Sequence, residues 1–333
     1  MTEKIGVIGA GAWGTALAML LAHNGHDVTL WMYEKDLAEE TARTRENRVY
    51  LPGFTLPGSI LVTSSLETAV RDKPIILSVV PSHTVRAVAS RFAPFLSIDA
   101  IIVSASKGIE LETLMPLSEV FKDILPKEFH DRLCFLSGPS FAKEVALKMP
   151  TAVALASYDP AAGKKAQEAF SNTYFRVYTN PDVLGVELAG ALKNVVAIAA
   201  GVIEGMGFGY NTMAALLTRG LAEMARLGVA MGGELQTFSG LAGMGDLVLT
   251  CTGGLSRNRA LGSRLGKGEK LADILTGTKT VAEGVKTARA ARDLAQKYDI
   301  AMPIVEEVYQ LLYEGKDPKL AVKDLMSREL RGE

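Results

Sequence analysis

The stretch "KIGVIGAGAWGTALAMLLAHNGHDVTLWMY" (residues 4–33) decides the fold. An apolar strand pattern is followed directly by the spacing G-x-G-x-x-G through Gly9, Gly11 and Gly14. A helical pattern then ends at an Asn-Gly pair, and a second strand pattern begins. In such a unit the first glycine permits a tight turn, the second lets the backbone approach a pyrophosphate, and the third allows close helix–strand packing. The sequence therefore predicts a dinucleotide site, and the alternative is a purely structural glycine turn.

The same alternation of strands and helices continues to about residue 182. Further apolar runs of strand length are "PIILSVV", "AIIVSAS", "RLCFLSG", "TAVALAS" and "FRVYTN". Strands that are almost entirely apolar indicate a parallel sheet covered by helices on both faces. Beyond this point only helical periodicity remains. The sequence predicts an α/β domain with a doubly wound, mostly parallel sheet over residues 1–185, and an all-helical domain over residues 186–333.

The composition limits the functional classes. Hydrophobic residues make up 48% of the chain and charged residues 22%, and 36 basic against 37 acidic residues give a net charge of −1. This balance argues against a nucleic-acid partner, which needs a broad basic face. No uninterrupted apolar stretch approaches the roughly 20 residues of a membrane span. Neither Cys134 nor Cys251 lies in a metal-ligand spacing, and Cys134 is expected in the core. We therefore expect a metal-free cytoplasmic enzyme.

The residue pair after the second strand bears on the choice of dinucleotide. Glu34 stands about twenty residues after the glycines, where a carboxylate accepts hydrogen bonds from a ribose 2′-hydroxyl and repels a 2′-phosphate. This position favours NAD over NADP. Lys35, the next residue, would have the opposite effect on a 2′-phosphate. A third interpretation is a solvated charge pair at a helix start.

Polar residues follow two strands at the edge of the sheet where ligands bind. Lys107 comes after "AIIVSAS", and Gly138 and Ser140 come after "RLCFLSG". In open parallel sheets, ligands bind beyond the carboxyl ends of the strands. We therefore expect these residues to contact an oxygen-rich ligand, although a lysine in such a position can also be simply solvated.

Two further clusters lie in the helical half of the chain. The segment "GLAGMGDLVLTC" places Asp246 between glycine turns and an apolar run. The segment "GGLSRNR" is a glycine-rich loop that enters a helix at Ser256, Arg257 and Asn258. A hydroxyl, a guanidinium and an amide at a helix N-terminus form a good phosphate receptor. The alternative is an ordinary serine cap followed by solvated arginines.

A lysine in an apolar segment is the candidate acid–base group. Lys193 lies in "LAGALKNVVAIAAG", where an unpaired charge would be costly. Small residues one turn away, Ala189 and Ala197, let this helix approach the sheet closely. With only four histidines in the chain, a lysine whose pKa is lowered by burial and neighbours is the natural proton donor for a ketone reduction. The alternative is a lysine that extends from a half-buried helix to solvent.

Several of these motifs together resemble the NAD(P)-dependent glycerol-3-phosphate dehydrogenases of bacteria. The resemblance covers nearly the whole chain and rests on "GAGAWGTALA", "SASKGIE", "SGPSFAKEV", "ELAGALKNVVAIAAG", "GLAGMGDLVLTCTGGLSRNR" and "TVAEGVKTA". It implies reversible reduction of dihydroxyacetone phosphate to sn-glycerol 3-phosphate, a phospholipid precursor. It also implies a Rossmann domain followed by a helical domain of the 6-phosphogluconate-dehydrogenase-like type, usually in a homodimer.

The resemblance assigns a role to each matching residue. It makes Lys193 the proton donor and acceptor. Substrate contacts are implied for Lys107, Gly138, Ser140, Lys193, Asp246, Ser256, Arg257 and Asn258. Cofactor contacts are implied for Gly9, Gly11, Ala12, Trp13, Gly14, Glu34, Lys107, Ala142, Arg257, Val281 and Glu283. This chain has Tyr33-Glu34 where many bacterial members carry arginines, which again favours NAD over NADP.

Two other kinds of protein share part of this pattern. β-Hydroxyacid dehydrogenases and ketopantoate reductases have a similar plan and a lysine on the first interdomain helix, but their substrates lack the phosphate for which "GGLSRNR" is suited. A non-catalytic sensor of NAD redox state would keep the glycines, but it has no reason to keep Lys107, Lys193, Asp246 and Arg257 together.

Overall fold

The computed structural model describes residues 2–276, 282–330 and 332. It divides the chain into two compact units. Unit 1 comprises Met1–Lys107 and Met115–Glu187, and unit 2 comprises Gly108–Leu114 and Leu188–Glu333. The segment Gly108–Leu114 thus groups with unit 2, whereas its sequence position placed it in the first predicted domain. Its Ile109 and Glu110 are buried, and nothing in the local residue pattern signals this excursion.

Unit 1 contains one sheet of eight strands. The strands are β1 (Lys4–Ile8), β2 (Asp27–Trp31), β3 (Leu61–Thr63), β4 (Ile75–Ser78), β5 (Ile101–Ser104), β6 (Leu133–Ser137), β7 (Thr151–Ser157) and β8 (Phe175–Asn180). Their order is β3-β2-β1-β4-β5-β6-β7-β8. All neighbouring pairs are parallel except β6 and β7. The predicted doubly wound, mostly parallel sheet is confirmed, and the strand order reverses between β1 and β4.

Helices cover both faces of this sheet. They are α1 (Ala12–His23), α2 (Lys35–Thr44), α3 (Leu66–Val70), α4 (Val85–Phe92), α5 (Leu117–Ile124), α6 (Ala142–Ala146) and α7 (Pro160–Phe170). Three-residue β3 is the one strand of this sheet that the residue pattern did not predict. It lies at the sheet edge and is only partly buried, so it carries no apolar run of strand length.

Unit 2 is built from helices, as predicted. They are α8 (Val183–Gly205, which begins in unit 1), α9 (Tyr210–Ala230), α10 (Leu235–Phe238), α11 (Asp246–Thr252), α12 (Arg257–Gly266), α13 (Leu271–Thr276), α14 (Glu283–Lys297), α15 (Pro303–Tyr309) and α16 (Pro318–Met326). Two π-helical turns, Leu241–Gly245 and Gln310–Glu314, adjoin α11 and α15.

The length of α8 raises the question whether this helix could span a membrane. Its 23 residues, with a mean hydropathy of 1.7, would suffice to cross a membrane by length and composition. The apolar run is nevertheless interrupted, as the sequence indicated, because Glu187, Lys193 and Asn194 lie within the helix without ending it. Within the described residues α8 alone meets this test, and 89% of the tested window is buried inside the protein. It is therefore a core helix in this structure.

Helices α8 and α12 are in direct backbone contact. Gly201 and Gly205 on α8 face Gly262 and Gly266 on α12. A β-carbon at any of the four would lie 2.0–2.2 Å from a carbonyl oxygen of the opposite helix. Backbone atoms cannot yield as a flexible side chain can, so only glycine fits at these positions. The contact fixes α12 against α8 with no layer of side chains at these positions.

We expect Gly262→Ala to destabilise unit 2. The added methyl group would meet the carbonyl oxygen of Ile198 at 2.0 Å, so the helices must separate. Overpacking of this kind costs about 1–3 kcal/mol, and a backbone clash belongs at the upper end. Thermal and urea unfolding, monitored by circular dichroism, measure the change.

The matched control is Gly254→Ala, because a β-carbon there meets nothing within 4 Å. The control should unfold like the parent protein. Equal stability of the two variants would contradict the close contact between α8 and α12.

A buried carboxyl group joins α9 to α15. Glu223 accepts hydrogen bonds from the backbone N–H of Ile304 (2.9 and 3.0 Å) and of Val305 (3.3 Å) in the first turn of α15. These N–H groups have no partner within their own helix, so the carboxyl group caps it. Burial raises the pKa of Glu223 from 4.5 to about 7.

This raised pKa predicts a pH-dependent stability. Between about pH 4.5 and 7 the folded protein binds more protons at Glu223 than the unfolded chain does, so the free energy of unfolding falls as pH rises. Glu223→Gln removes this contribution. We expect the stability loss between pH 5 and pH 8 to be smaller in the variant, by on the order of 1–3 kcal/mol.

Urea unfolding at the two pH values measures the difference. Some pH dependence will remain in the variant, because burial also raises the pKa of Glu187, to about 8. Identical pH dependence in the variant and the parent protein would show that Glu223 does not titrate in this range.

Candidate active site

The glycine turn after β1 has the geometry that its spacing predicts. Gly9 has φ +113°, and a β-carbon there would lie 2.7 Å from the carbonyl oxygen of Val79, which follows β4. A β-carbon on Gly14 would lie 1.9 Å from the carbonyl oxygen of Gly9. The space beside Gly11 is open to at least 4 Å. The turn thus leaves room at the one glycine that is expected to face a pyrophosphate.

The turn lies where the strand order reverses. It follows β1 and touches the end of β4, the two strands on either side of the reversal. Ligands of doubly wound sheets bind at this position. Ala12 and Trp13 open α1 and are half-buried against the core of unit 1. The first N–H groups of α1 therefore adjoin the turn, as an anion site requires.

Glu34 occupies the position expected of a ribose-binding carboxylate. It precedes α2 as the exposed N-cap residue, and its side chain caps no backbone N–H. Instead its Oε1 atom accepts a hydrogen bond from the Tyr50 hydroxyl at 3.2 Å. Lys35 lies 3.8 Å from Glu39 in an exposed ion pair. The two charges are thus engaged with different partners.

Lys107, Gly138 and Ser140 come together at the ends of β5 and β6. The carbonyl oxygen of Gly138 accepts hydrogen bonds from Lys107 Nζ at 3.3 Å and from Ser140 Oγ at 3.0 Å. The two strands are parallel neighbours, so their carboxyl ends meet at one edge of the sheet. Gly138 has φ +145°, and a β-carbon would lie 2.9 Å from Cα of Val153. Ala142, also predicted from the resemblance, opens α6 nearby in the chain.

Unit 2 holds a buried cluster around Lys193. Its Nζ atom donates to Asp246 Oδ1 at 2.6 Å and to Thr250 Oγ1 at 2.7 Å. The Thr250 hydroxyl in turn lies 3.2 Å from Asp246 Oδ1. Only 6% of the surface of Lys193 and 1% of that of Asp246 is exposed. The lysine is therefore paired inside the protein and does not extend to solvent.

The sequence reading missed Thr250. The signal was present, because Thr250 follows Asp246 by four residues on α11 and so lies on the same helical face. A buried ion pair persists only when further hydrogen bonds satisfy its polar atoms, and Thr250 supplies one of them.

The start of α12 is built as predicted. Ser256 is its N-cap residue, and the Ser256 Oγ atom accepts the backbone N–H of Arg259 at 3.2 Å. Arg257, the first residue of the helix, is exposed. Asn258 is buried and linked on both sides. Its Nδ2 donates to Asn194 Oδ1 at 2.9 Å, and its Oδ1 accepts the N–H of Gly284 at 3.0 Å.

These bonds connect the helices that carry the remaining predicted residues. Asn194 follows Lys193 on α8, and Gly284 follows Glu283, the first residue of α14. Glu283 is half-buried. Val281 lies outside the described residues. The structure thus groups Lys193, Asp246 and the start of α12 in unit 2, and it groups the glycine turn and the Lys107 cluster in unit 1.

The two thiols are buried and form no disulfide. Burial raises the pKa of both Cys134 and Cys251 to about 12, so both remain protonated near neutral pH. Within residues 2–276, 282–330 and 332, no three His, Cys, Asp or Glu side chains lie together in a way that would hold a metal ion.

Comparison with known proteins gives consistent matches over both units. Residues 4–163 match the family model described as the NAD-dependent glycerol-3-phosphate dehydrogenase N-terminus, and residues 182–323 match that of its C-terminus. The glycerol-3-phosphate dehydrogenase (NAD(P)+) of Geobacter sp. (strain M21) is 57% identical, over 100% of this chain and 99% of that protein.

Solved structures agree with this assignment. The crystal structure of glycerol-3-phosphate dehydrogenase from Coxiella burnetii matches with a TM-score of 0.93 and 40% identity, over 98% of this chain and 99% of that one. The Saccharomyces cerevisiae glycerol-3-phosphate dehydrogenase matches with a TM-score of 0.83 and 28% identity, over 98% of this chain and 100% of that one.

The buried pair predicts non-additive stability changes. Lys193→Met leaves the Asp246 carboxylate without its counter-ion, and Asp246→Asn leaves the Lys193 ammonium without one. Removing one partner of a buried pair costs about 3–5 kcal/mol, whereas removing both charges costs much less. We expect the double variant to be more stable than the sum of the single changes predicts.

Urea unfolding of the four proteins gives the coupling energy, which we expect to be on the order of 2 kcal/mol. Additive changes would mean that the two side chains do not form an ion pair in solution.

Proposed function

This chain belongs to the NAD-dependent glycerol-3-phosphate dehydrogenase family, and we propose that it interconverts dihydroxyacetone phosphate and sn-glycerol 3-phosphate as an NAD(P)-dependent oxidoreductase acting on a CH–OH group. The observation that carries the proposal is the buried Lys193–Asp246–Thr250 cluster in a helical unit that also presents a phosphate-receiving helix start. A paired lysine suits proton transfer to a reduced ketone, and a helix start with an arginine suits a phosphorylated substrate.

The glycine turn of unit 1 fits the cofactor. When bound, the reduced nicotinamide supplies the hydride to C2 of the substrate. The open side of Gly11 and the first N–H groups of α1 would receive the pyrophosphate. Residues proposed to contact the cofactor are Gly9, Gly11, Ala12, Trp13, Gly14, Glu34, Lys107, Ala142, Arg257, Val281 and Glu283.

Lys193 is proposed to supply the proton. As C2 becomes tetrahedral, negative charge develops on its oxygen, and the Lys193 ammonium donates a proton there. Asp246 accepts a hydrogen bond from the Lys193 ammonium and holds its Nζ atom in place before the reaction. Thr250 fixes the direction of the Nζ atom. In the reverse reaction, neutral Lys193 accepts the proton from the C2 hydroxyl.

The substrate phosphate is proposed to bind at the start of α12. Arg257 offers charge-assisted hydrogen bonds from an exposed position, and Ser256 and Asn258 flank it. Lys107, Gly138 and Ser140 are proposed as further substrate contacts. Binding energy from the phosphate would then orient the carbonyl group, which does not itself touch the phosphate site.

The phosphate site also separates this proposal from its nearest rivals. Hydroxyacid dehydrogenases and ketopantoate reductases use substrates without a phosphate, for which an exposed arginine at a capped helix start has no evident use. A non-catalytic sensor of the cofactor would not need the buried lysine cluster.

We propose NADH as the preferred cofactor. Glu34 stands at the end of β2 with the Tyr50 hydroxyl holding its carboxylate, so an acceptor is available for a ribose 2′-hydroxyl. A 2′-phosphate would meet the same negative charge. The engagement of Lys35 with Glu39 supports this assignment over a role for Lys35 in binding a phosphate.

The family resemblance supports three further proposals. The protein acts in the cytoplasm, it forms a homodimer, and its product feeds phospholipid synthesis. The near-zero net charge supports a small-molecule substrate over a nucleic-acid partner.

The function is tested by comparing dihydroxyacetone phosphate with unphosphorylated dihydroxyacetone. Oxidation of reduced nicotinamide, followed by its absorbance, should be efficient only with the phosphorylated ketone. Arg257→Ala should lower kcat/KM for dihydroxyacetone phosphate about 10- to 100-fold, because one charged hydrogen-bonding group is lost. The slow rate with dihydroxyacetone should fall much less, because that ketone has no phosphate for Arg257 to bind.

The control is Arg264→Ala, on the same helix but paired with Glu269. It should leave both rates unchanged. Turnover of a hydroxyacid or ketoacid in place of the phosphorylated ketone would contradict the proposed substrate.

The cofactor preference has its own test. Glu34→Gln keeps the shape of the side chain and removes its charge, so we expect the ratio of kcat/KM for NADH to that for NADPH to fall by about tenfold. Lys35→Gln should leave this ratio nearly unchanged. The opposite pattern, with a change only in Lys35→Gln, would assign the discrimination to the lysine.

A further inference from the structure

Asn47 is a fully buried polar side chain for which the proposed reaction has no use. It lies in the loop between α2 and β3, and none of its surface is exposed. Its Nδ2 atom donates to the carbonyl oxygen of Ala10 at 2.8 Å and to Thr15 Oγ1 at 2.9 Å. Both partners belong to the glycine turn and the first turn of α1. A buried amide is costly without hydrogen bonds, and here both of its hydrogens are used.

The bond to Ala10 fixes more than one carbonyl group. Ala10 lies between Gly9 and Gly11, and its C=O shares a planar trans peptide with the N–H of Gly11. In such a peptide the two groups point in opposite directions. Holding the Ala10 oxygen against Asn47 therefore sets the direction of the Gly11 N–H. A glycine at this position would otherwise let the peptide rotate, because it lacks the restraint of a β-carbon.

The same loop also reaches the proposed ribose site. Asn47 Oδ1 accepts the backbone N–H of Tyr50 at 3.3 Å, and the Asn47 carbonyl accepts that of Leu51 at 2.9 Å. Tyr50 in turn donates its hydroxyl to Glu34. The loop is thus anchored at one end on the glycine turn and at the other on Glu34.

We propose that Asn47 is a positioning residue for cofactor binding, which aims the Gly11 N–H at the pyrophosphate by holding the Ala10 carbonyl. The inference rests on the proposed function, because it assumes that a dinucleotide binds at this turn. Asn47 itself does not contact the ligand in this account. Its effect is on the affinity for the pyrophosphate and not on the chemical step.

Asn47→Asp is the sharpest test, because it keeps the shape and replaces the donor by an oxygen that faces the Ala10 carbonyl. We expect the Kd for NADH, measured by fluorescence titration without substrate, to rise about tenfold or more. With NADH saturating, kcat and the KM for dihydroxyacetone phosphate should stay within about twofold of the parent values.

Two further variants show whether a weaker affinity in Asn47→Asp comes from the lost bond to Ala10 or from a general loss of folding. Thr15→Val removes one of the two acceptors of Asn47, and with it the longer hydrogen bond that Thr15 Oγ1 donates to the Ala10 carbonyl oxygen at 3.3 Å. The shorter bond from Asn47 to Ala10 remains, so this variant should raise the Kd for NADH by less than Asn47→Asp does. Tyr50→Phe removes only the hydroxyl at Glu34 and keeps the bond from Asn47 to Ala10, so it should raise the Kd for ADP by less than Asn47→Asp does. In Asn47→Asp the Kd for ADP should rise in parallel with that for NADH.

The outcomes separate this inference from the proposed function. A folded Asn47→Asp variant with a lowered melting temperature and an unchanged Kd for NADH would overturn the positioning role and make Asn47 merely structural. Failure of the parent protein to bind either NADH or NADPH would overturn both this inference and the proposed function. Parallel loss of affinity for NADH and ADP, with kcat retained, is the result that the inference requires.

Discussion

The arrangement of unit 2 depends on the direct contact between the backbones of α8 and α12. Glycines on both helices bring carbonyl oxygens within reach of any added β-carbon, so the helices cannot approach or separate without a penalty. α8 carries Lys193, and α12 begins beside Ser256 and Arg257. Because helices are stiff, the contact fixes the distance from Lys193, the proposed proton donor, to the proposed phosphate site at the start of α12. This distance would suit a substrate of defined length.

Unit 1 also contains a close backbone contact that only glycine permits. Gly14 allows α1 to pack against the carbonyl group of Gly9, and a side chain at either position would force the turn apart. A glycine-rich turn also lets its peptides rotate more easily. The buried Asn47 restricts this rotation by holding the Ala10 carbonyl oxygen. In both units, glycines create the close approach, and a buried polar side chain holds the group that is proposed to face the ligand. Lys193 with Asp246 is the second example.

The sequence predicts those parts of the fold and site that local pattern encodes. The glycine turn and Lys193 were recognisable because spacing alone distinguishes them from their surroundings. Asn47 was not, because its importance lies in a hydrogen bond to a residue 37 positions away along the chain. The spacing of Thr250 from Asp246 indicates a shared helical face, but its bond to Lys193, 57 positions away, is visible only in the structure. β3 was not predicted, for a different reason. A three-residue edge strand is stabilised by its neighbour in the sheet and not by its own residue pattern.

The central claim is that Lys193, held by Asp246 and Thr250, gives the proton in the chemical step. A single-turnover experiment tests it most directly, in which dihydroxyacetone phosphate is mixed with the preformed NADH complex of the Lys193→Met variant. We predict a rate of NADH oxidation lower by about 10³-fold, the size expected for loss of a general acid, with the Kd for NADH changed by no more than about threefold. A rate within about tenfold of the parent value, with NADH bound normally, would show that another group supplies the proton.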